Sequence, residues 1–244
     1  MNIKDSIKKL PLWKNEISID SITGGITNQN FLVTDGQKKY FVRIGEDIFE
    51  HLVIRKNEII ASQAASLANI APKLIYSSKG IIVFEYIKSV TYNSELVIKN
   101  LDKIIKIIKN IHIEIPKFII GDPPLFWVFH VVRHYSNFLK ENNSPYIKKL
   151  DELIIKSDQL NKIASPYEIV FCHNDFLPAN FIENENKVWV VDWEYAGFNT
   201  PLFDLGGLAS NNEFSNEQEI YLLENYFDQK ISAEKISKYL AIKC

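Results

Sequence analysis

The sequence predicts an α+β fold with two lobes: an N-terminal lobe built on an antiparallel sheet with one inserted helix, and a mainly helical C-terminal lobe. Three observations lead to this prediction. Short β-branched runs fill the first third of the chain, apolar residues at spacings of three and four dominate afterwards, and a return of strand-like sequence interrupts the helices near residues 169–191. The change of pattern near Ile87 gives expected lobes of residues 1–87 and 88–244.

The N-terminal lobe is predicted from apolar, β-branched runs and one run of helical spacing. Strands are expected at 17–22, 26–33, 40–44, 74–76 and 81–87, and a helix at 55–68. Asp35-Gly36 lies between two of the strands and predicts a hairpin, because Asp-Gly favours the left-handed backbone of a tight turn. Consecutive strands joined by short turns pair antiparallel, so these runs predict a small antiparallel sheet.

The C-terminal lobe is predicted from amphipathic helices. Helices are expected at 95–112, 126–140, 150–163 and from about residue 204 to the end, with short strands at 169–172 and 188–191. In the first of these helices the apolar positions recur at spacings of three and four, which forms one apolar stripe. The chain has no internal repeat and no low-complexity linker, so the lobes are expected to join directly.

The composition is that of an ordinary globular protein. The 244 residues are 46% hydrophobic and 24% charged, which excludes a disordered tail, a collagen-like fibre and a disulfide-stapled miniprotein. The net charge of −2 argues against nucleic acid as a partner, because binding to the phosphate backbone needs a cationic surface. No apolar stretch approaches the ~20 residues that span a bilayer, and no signal peptide is recognisable. We expect a soluble, cytoplasmic protein with small-molecule partners and no membrane span.

The stretch from His173 to Asn180 has the layout of a phosphoryl-transfer loop. Asp175 is followed five residues later by Asn180, in a loop after a short apolar strand. In such a loop the carboxylate accepts the proton of the attacking hydroxyl group, and the Asn carbonyl oxygen can ligate Mg²⁺. A polar loop with Asx turns would also explain these residues, so this motif alone leaves both interpretations open.

Asp192 adds the second part of the pattern. It comes twelve residues after Asn180 at the end of an apolar run, where a kinase-like fold has its principal Mg²⁺ ligand. A turn residue would explain Asp192 by itself, but not its joint spacing with Asp175 and Asn180. We therefore predict a kinase that uses ATP and Mg²⁺, with Asp175 and Asn180 as catalytic residues and Asn180 and Asp192 as metal ligands.

The N-terminal lobe contains weaker signals for nucleotide binding. The turn at 24–28 could bring backbone N–H groups to ATP phosphates, although a plain hairpin turn is the commoner explanation. Its candidate residues are Gly24, Gly25, Thr27 and Asn28. Arg43 on the third strand and Glu58 on the following helix could form a pair that positions the phosphates. The alternative is a surface salt bridge worth less than ~1 kcal/mol.

Taken together, these residues resemble those of the choline/ethanolamine kinases, part of the wider aminoglycoside-phosphotransferase-like group that shares the protein-kinase fold. The resemblance runs from about residue 22 to residue 204, and its most specific segments are 23–28, 173–180 and 192–197. It implies that Asp175 is the catalytic base. Arg43 stands where many members of the wider group have Lys, and Arg is common in choline kinases, so this position favours the choline branch.

The resemblance also implies roles for further residues. Glu85, Tyr86 and Ile87 match the hinge whose backbone meets adenine. Asp204 resembles an acid that braces the catalytic loop, although the N-cap of a helix would explain it equally well.

The expected acceptor is a small amino alcohol, with choline first. Thiamine, ethanolamine, an aminoglycoside or a sugar remain alternatives, as does a nucleotide-binding pseudoenzyme without turnover. A quaternary ammonium needs aromatic faces and one or two acids, whereas a polycationic antibiotic needs several carboxylates.

The candidate acceptor residues lie near the predicted catalytic loop. Trp193 and Tyr195 alternate along an extended segment, so one is expected to face the core and the other the cleft. Tyr195 and Trp127 are the candidate walls of a cation cage, and Glu194 is its candidate negative partner. The family usually continues beyond the point where this sequence stops, through helices with further aromatic residues, so a shallow cage and weak choline binding are expected.

Overall fold

A five-stranded antiparallel sheet occupies the N-terminal part of the chain. The computed structural model describes residues 3–22, 27–185 and 187–243. The strand order is β1-β2-β3-β5-β4, with every neighbouring pair antiparallel. The strands are β1 (Ile17–Ile22), β2 (Gln29–Asp35), β3 (Lys38–Ile44), β4 (Leu74–Ser78) and β5 (Ile81–Glu85). The predicted hairpin at Asp35-Gly36 is confirmed, and Gly36 has the left-handed φ of +60° that this turn requires.

Two α-helices accompany this sheet, whereas the sequence predicted one. The predicted helix is α2 (Arg55–Leu67), between β3 and β4. The additional helix, α1 (Ile3–Lys8), buries Ile7 against sheet residues that include Val33 and Val83. It was missed because a six-residue helix is too short to show a helical period.

The remaining helices form most of the C-terminal part. They are α3 (Ser94–Lys99), α4 (Leu101–Glu114), α5 (Val128–Glu141), α6 (Ile147–Ala164), α7 (Pro201–Asn211), α8 (Asn216–Phe227) and α9 (Ala233–Lys243), with 3₁₀ turns at Phe49–His51, Ile115–Phe118 and Pro178–Asn180. The predicted helix at 95–112 is two helices. Its break lies at Asn100, whose side-chain amide donates to the Leu96 carbonyl and so competes with the helical backbone.

Five short strands bring the loops of the site together. They are β6 (Val90–Thr91), β7 (Val170–Cys172), β8 (Phe181–Asn184), β9 (Lys187–Val190) and β10 (Gly197–Asn199). β7 pairs with β10, and β8 pairs with β9. The loop between β7 and β8 therefore lies beside the loop between β9 and β10. The sequence predicted β7 and β9 but neither of their partners.

The main core lies among the C-terminal helices. Ile104, Ile108 and Ile111 of α4 are fully buried, which confirms the predicted apolar stripe. Within the described residues, no helix combines the length and apolar character needed to cross a membrane. The exact lobe boundary at Ile87 stays a prediction; the five-stranded sheet ends two residues before it, and the first long helices follow.

Candidate active site

The predicted catalytic loop connects β7 to β8 and is ordered by its own hydrogen bonds. The Asn180 Nδ2 donates to the Asp175 carbonyl over 2.8 Å and lies 3.4 Å from the Asp175 carboxylate. The Asn180 Oδ1 is the atom that can ligate a cation, because an amide nitrogen only donates hydrogen bonds. Asp175 and Asn180 are thus brought together as predicted.

His173 fixes this loop against the loop that carries Asp192. Its Nε2 lies 3.0 Å from the Val191 carbonyl, which can only accept a hydrogen bond, so Nε2 carries the proton. The Nδ1 then accepts from the Asp175 N–H over 3.3 Å. The Val191 N–H in turn donates to the Asn180 carbonyl over 3.0 Å. Asp192, the next residue, is thereby held beside the catalytic loop.

Asp204 braces the start of the catalytic loop from within α7. Its two carboxylate oxygens accept from the backbone N–H groups of His173, over 2.9 Å, and Asn174, over 2.7 Å. The N-cap of α7 is Thr200, so the bracing role is confirmed and the N-cap alternative is wrong. The Nε2 of His112 lies 3.0 Å from the same carboxylate, and this histidine was missed in the sequence.

The Asp175 carboxyl group is suited to accept a proton. Burial is the main cause that raises its pKa above the ordinary value, and the negative charges of Asp192 and Glu194 raise the pKa further. The amide of Asn180 and the proximity of His173 oppose this rise. A carboxylate with a raised pKa is a stronger base than a solvent-exposed one.

Asp192 is held in a position that favours the ionised form. Its φ of +70° lies in the left-handed region, where a non-glycine residue is strained. Burial alone would raise the pKa of Asp192, but Arg43 outweighs it and holds the pKa below the usual range. The Arg43 Nη1 donates to Asp192 Oδ1 over 2.5 Å. Ionised carboxylate and amide oxygens are the ligands that Mg²⁺ prefers, so Asp192 and Asn180 fit this cation.

The predicted pair of Arg43 and Glu58 is present and belongs to a longer ion-pair chain. The Arg43 Nη1 lies 3.0 Å from Glu58, and Glu58 accepts at 2.7 Å from a second arginine, Arg55. Arg55 also contacts Glu194 over 3.0 Å. All four side chains are at least nine-tenths buried, so the alternative of an exposed surface pair is wrong for Arg43 and Glu58.

The predicted phosphate-loop residues are placed only in part. Gly24 and Gly25 lie outside the described residues. Thr27 and Asn28 both donate to the Glu194 carboxylate, over 2.9 Å and 3.1 Å. These contacts connect the segment after β1 to the loop after β9, across 167 and 166 sequence positions.

An apolar cavity of about 380 Å³ lies between the sheet and the site loops. Its walls include Ile22, Leu32, Phe41, Ala71, Phe84, Ile182 and Val190, and the predicted hinge residues Glu85, Tyr86 and Ile87 also line it. Arg43 and Asp192 line the cavity as well. The N–H groups of Glu85 and Tyr86 donate to backbone carbonyls, whereas that of Ile87 has no partner among the described residues.

Arg43 keeps an unused donor near this cavity. Within the described part of the chain, its buried Nε–H has no hydrogen-bond partner. A buried cationic donor without an acceptor is unfavourable unless a ligand supplies one. The apolar walls and this cation therefore fit a nucleotide, with the base in the apolar part and phosphates toward Arg43.

The comparison with known families agrees with this geometry. The family model described as choline/ethanolamine kinase matches residues 19–241. This chain belongs to the choline/ethanolamine kinase family. It is accordingly a kinase, and the family implies the use of ATP.

Known choline/ethanolamine kinase relatives cover most of the chain. Protein LicA of Haemophilus influenzae is 27% identical over 95% of this chain and 69% of its own length. Human ethanolamine kinase 2 is 31% identical over 86% of this chain, which spans 57% of that enzyme. The crystal structure of choline kinase LicA from Streptococcus pneumoniae has a TM-score of 0.79, with 28% identity over 97% of this chain and 84% of that one. The predicted two-lobed, protein-kinase-like fold is confirmed.

The aromatic candidates of this kinase occupy different environments. Trp193 is buried and its ring packs on His173, whereas Tyr195 is half-buried, as their alternation predicted. The ring of Tyr195 lies 6.1 Å from that of Phe126. Trp127 instead contacts the rings of Phe129 and Tyr167. Phe126 is therefore the aromatic neighbour of Tyr195, and Trp127 is directed elsewhere.

Glu194 has a different environment from the expected one. Its side chain is 7% exposed, and its carboxylate accepts hydrogen bonds from Thr27, Asn28 and Arg55. A carboxylate with these donors is not available to pair with a substrate cation in this arrangement. The expected role of Glu194 as a negative partner in the cage therefore needs correction.

Two buried residues of the candidate site were not predicted from the sequence. Arg55 begins a helix three residues before Glu58, and this i,i+3 spacing is typical of an ordinary ion pair on a helix surface. His112 lies on an apolar stripe, where a histidine is commonly a satisfied core residue. Only their tertiary partners, Glu194 and Asp204, identify them as parts of the site.

Proposed function

We propose that this kinase transfers the γ-phosphoryl group of ATP to the hydroxyl group of choline, in a reaction that requires Mg²⁺. The products would be phosphocholine and ADP. The observation that carries the proposal is the junction of two loops at the end of a nucleotide-sized cavity. The first loop supplies Asp175 and Asn180, the second supplies Asp192, and the contacts of His173 hold them together.

Each group has one role in this proposal. Asp175 accepts the proton of the choline hydroxyl as its oxygen attacks the γ-phosphorus. Asn180 Oδ1 and the Asp192 carboxylate would hold the metal ion, and Arg43 would donate to phosphate oxygens. When bound, Mg²⁺ neutralises the phosphate oxygens. Catalysis rests on positioning and charge neutralisation, because the transition state needs little covalent help from the protein.

Choline is favoured over ethanolamine by the chemistry of the ring pair. A trimethylammonium group has no N–H to donate and is recognised through aromatic faces. Tyr195 and Phe126 form a ring pair, and the Tyr195 carbonyl accepts a hydrogen bond from Asn174 in the catalytic loop. A primary ammonium would need acceptors, and the nearby carboxylate of Glu194 is already hydrogen-bonded. The choline kinase LicA of Streptococcus pneumoniae, similar over 97% of this chain, gives further support.

Ethanolamine is the second candidate. Human ethanolamine kinase 2 is 31% identical to this chain, and the two acceptors carry the same reacting hydroxyl group. Their discrimination depends on ΔΔG between the two ammonium groups rather than on the transfer step.

An ADP-release assay tests the proposal. Purified protein is incubated with Mg²⁺-ATP and, separately, choline, ethanolamine, thiamine, an aminoglycoside and a sugar. We expect the highest kcat/KM for choline and no release without Mg²⁺. A mock preparation from cells that do not express the protein serves as the control for contaminating kinases. If ethanolamine gives the higher kcat/KM, the acceptor assignment is wrong; if no acceptor exceeds the control, the proposed transfer to these acceptors is wrong.

A further inference from the structure

Arg55 occupies a buried position between the two halves of the site. Its side chain is 5% exposed, and its guanidinium uses several separate acceptors. Nε donates to the Glu46 carbonyl over 2.9 Å, Nη1 to Glu58 and Glu194, and Nη2 to the Thr27 carbonyl over 3.0 Å. A planar fork with fixed donors can satisfy these directions at once, whereas a lysine ammonium cannot.

The backbone beside Arg55 leaves room for this arrangement. A Cβ placed on Gly45 would come within 2.8 Å of the Arg55 Nη2 and 2.4 Å of the Asn28 Oδ1. Any other residue at position 45 would displace both of these side chains. The end of β3, the start of α2 and the segment at Thr27 are therefore packed together around the guanidinium.

Arg55 neutralises two buried carboxylates at once, those of Glu58 and Glu194. Glu58 on α2 and Glu194 after β9 each approach Nη1, at 2.7 Å and 3.0 Å. Two buried carboxylates that share one cation become strongly unfavourable if the cation is lost. Glu58 is also the partner of Arg43, so a disturbance at Arg55 reaches the cation that contacts Asp192.

We propose that Arg55 and Glu194 form an interlobe clamp that positions Arg43 and the Thr27 segment for the phosphates of the nucleotide. Arg55 is a positioning residue, because it acts through Glu58 and Thr27. Glu194 serves the same clamp, in place of a role in the choline site. This inference rests on the proposed function for its kinetic readouts, but nucleotide binding tests it separately.

The clamp predicts a selective effect on nucleotide. We expect Arg55→Gln and Glu194→Gln each to weaken binding of a non-hydrolysable ATP analogue with Mg²⁺ about tenfold, with the choline KM within about twofold of the parent value. The loss of affinity in the double variant should be well below the product of the two single losses. Arg55→Gln leaves the Glu194 carboxylate without its cation, and Glu194→Gln removes that unpaired carboxylate. Arg55→Lys keeps the charge without the fork and should be intermediate.

Calorimetry with the ATP analogue and steady-state kinetics with choline provide the two measurements. The control is Arg133→Lys, in a half-exposed pair with Asp158, and it should match the parent. Glu194→Gln is nearly isosteric, so it tests the clamp even if Arg55→Gln fails to fold.

Three outcomes would overturn the clamp: a selective rise in choline KM, unchanged nucleotide binding, or single effects that multiply in the double variant. If nucleotide binding follows the expected pattern while the parent phosphorylates no amino alcohol, the clamp stands and the proposed function fails.

Discussion

The Arg43 guanidinium donates to the Asp192 carboxylate over 2.5 Å, although 149 positions separate the two residues in sequence. This contact joins the third strand of the sheet to the candidate metal ligand. Because Arg43 also binds Glu58, the position of α2 is coupled to that of Asp192. The groups proposed for phosphate and metal are thus parts of one ion-pair network.

Replacement of Asp175 should separate chemistry from binding. We expect Asp175→Asn to lower kcat by ~10²–10⁴, the usual contribution of a positioned general base, with ATP affinity unchanged. Steady-state kinetics and calorimetry give the two quantities. Asp151→Asn, on the exposed side of α6, is the control. Unchanged kcat in Asp175→Asn would remove this residue from the mechanism.

The titration of Asp175 should make the stability of the protein fall, and its kcat/KM rise, as the pH increases. Its pKa is raised in the folded state, so the native protein binds this proton more tightly than the unfolded chain does. The resulting stability is present at low pH and is lost as the pH rises through the raised pKa. The base works only when deprotonated, so kcat/KM should increase over the same range.

Asp175→Asn provides the test of this linkage. The variant should unfold at a higher temperature than the parent at pH 8, where the parent carries a half-buried charge, and the difference should shrink toward pH 4. Thermal unfolding at several pH values measures it. A difference independent of pH would show that the carboxyl group does not titrate in the expected direction.

Replacement of Asp192 should weaken the binding of both the metal ion and the nucleotide. We expect Asp192→Ala to weaken Mg²⁺-ATP binding by about tenfold or more, because one hard-oxygen ligand is lost and Arg43 loses a partner. Titration of the analogue with and without Mg²⁺ separates the two contributions. Coincident metal titrations for variant and parent would make Asp192 a structural residue.

His112 should be important through Asp204. His112 contacts the buried Asp204 carboxylate over 3.0 Å and the Tyr226 hydroxyl over 2.6 Å. His112→Ala removes this partner from both groups. We expect a loss of roughly 1–3 kcal/mol in the free energy of unfolding. Urea denaturation measures it, with the exposed His130→Ala as control. Equal stability of both variants would contradict the role of His112 in the brace.

The sequence was informative where the signal is local. Asp175 and Asn180 lie five residues apart in one loop, so their spacing alone indicated a shared site. The contacts of Glu194 join residues 139 and 167 positions apart, and no periodicity reports such pairs. Because these contacts are invisible in the sequence, Glu194 was predicted from its aromatic neighbours to face a cationic substrate. The three-dimensional partners of Glu194 reassign it to the clamp.

The acceptor site gives the last prediction, which compares two neighbouring aromatic residues. Phe126 and Tyr195 form an edge-to-face pair, whereas Trp127 packs on Phe129 and Tyr167. Burial, the largest cause, and the nearby Glu194 raise the pKa of Tyr195 to about 12, so its ring remains a neutral phenol even further above physiological pH than the ring of an ordinary tyrosine does. A neutral ring face attracts a quaternary ammonium with about 0.5–2 kcal/mol.

Tyr195→Leu and Phe126→Leu should therefore each raise the choline KM by roughly 2–30-fold without a change in ATP affinity. Trp127→Leu should destabilise the fold but leave the choline KM near the parent value, because its ring contacts Phe129 and Tyr167 rather than Tyr195. Choline kinetics and thermal unfolding of the three variants decide between the two aromatic residues. If Trp127→Leu raises the choline KM more than Phe126→Leu does, Trp127 is the second wall of the cage. That order would contradict the assignment of Phe126, because the ring that faces the choline methyl groups should give the larger loss of choline binding.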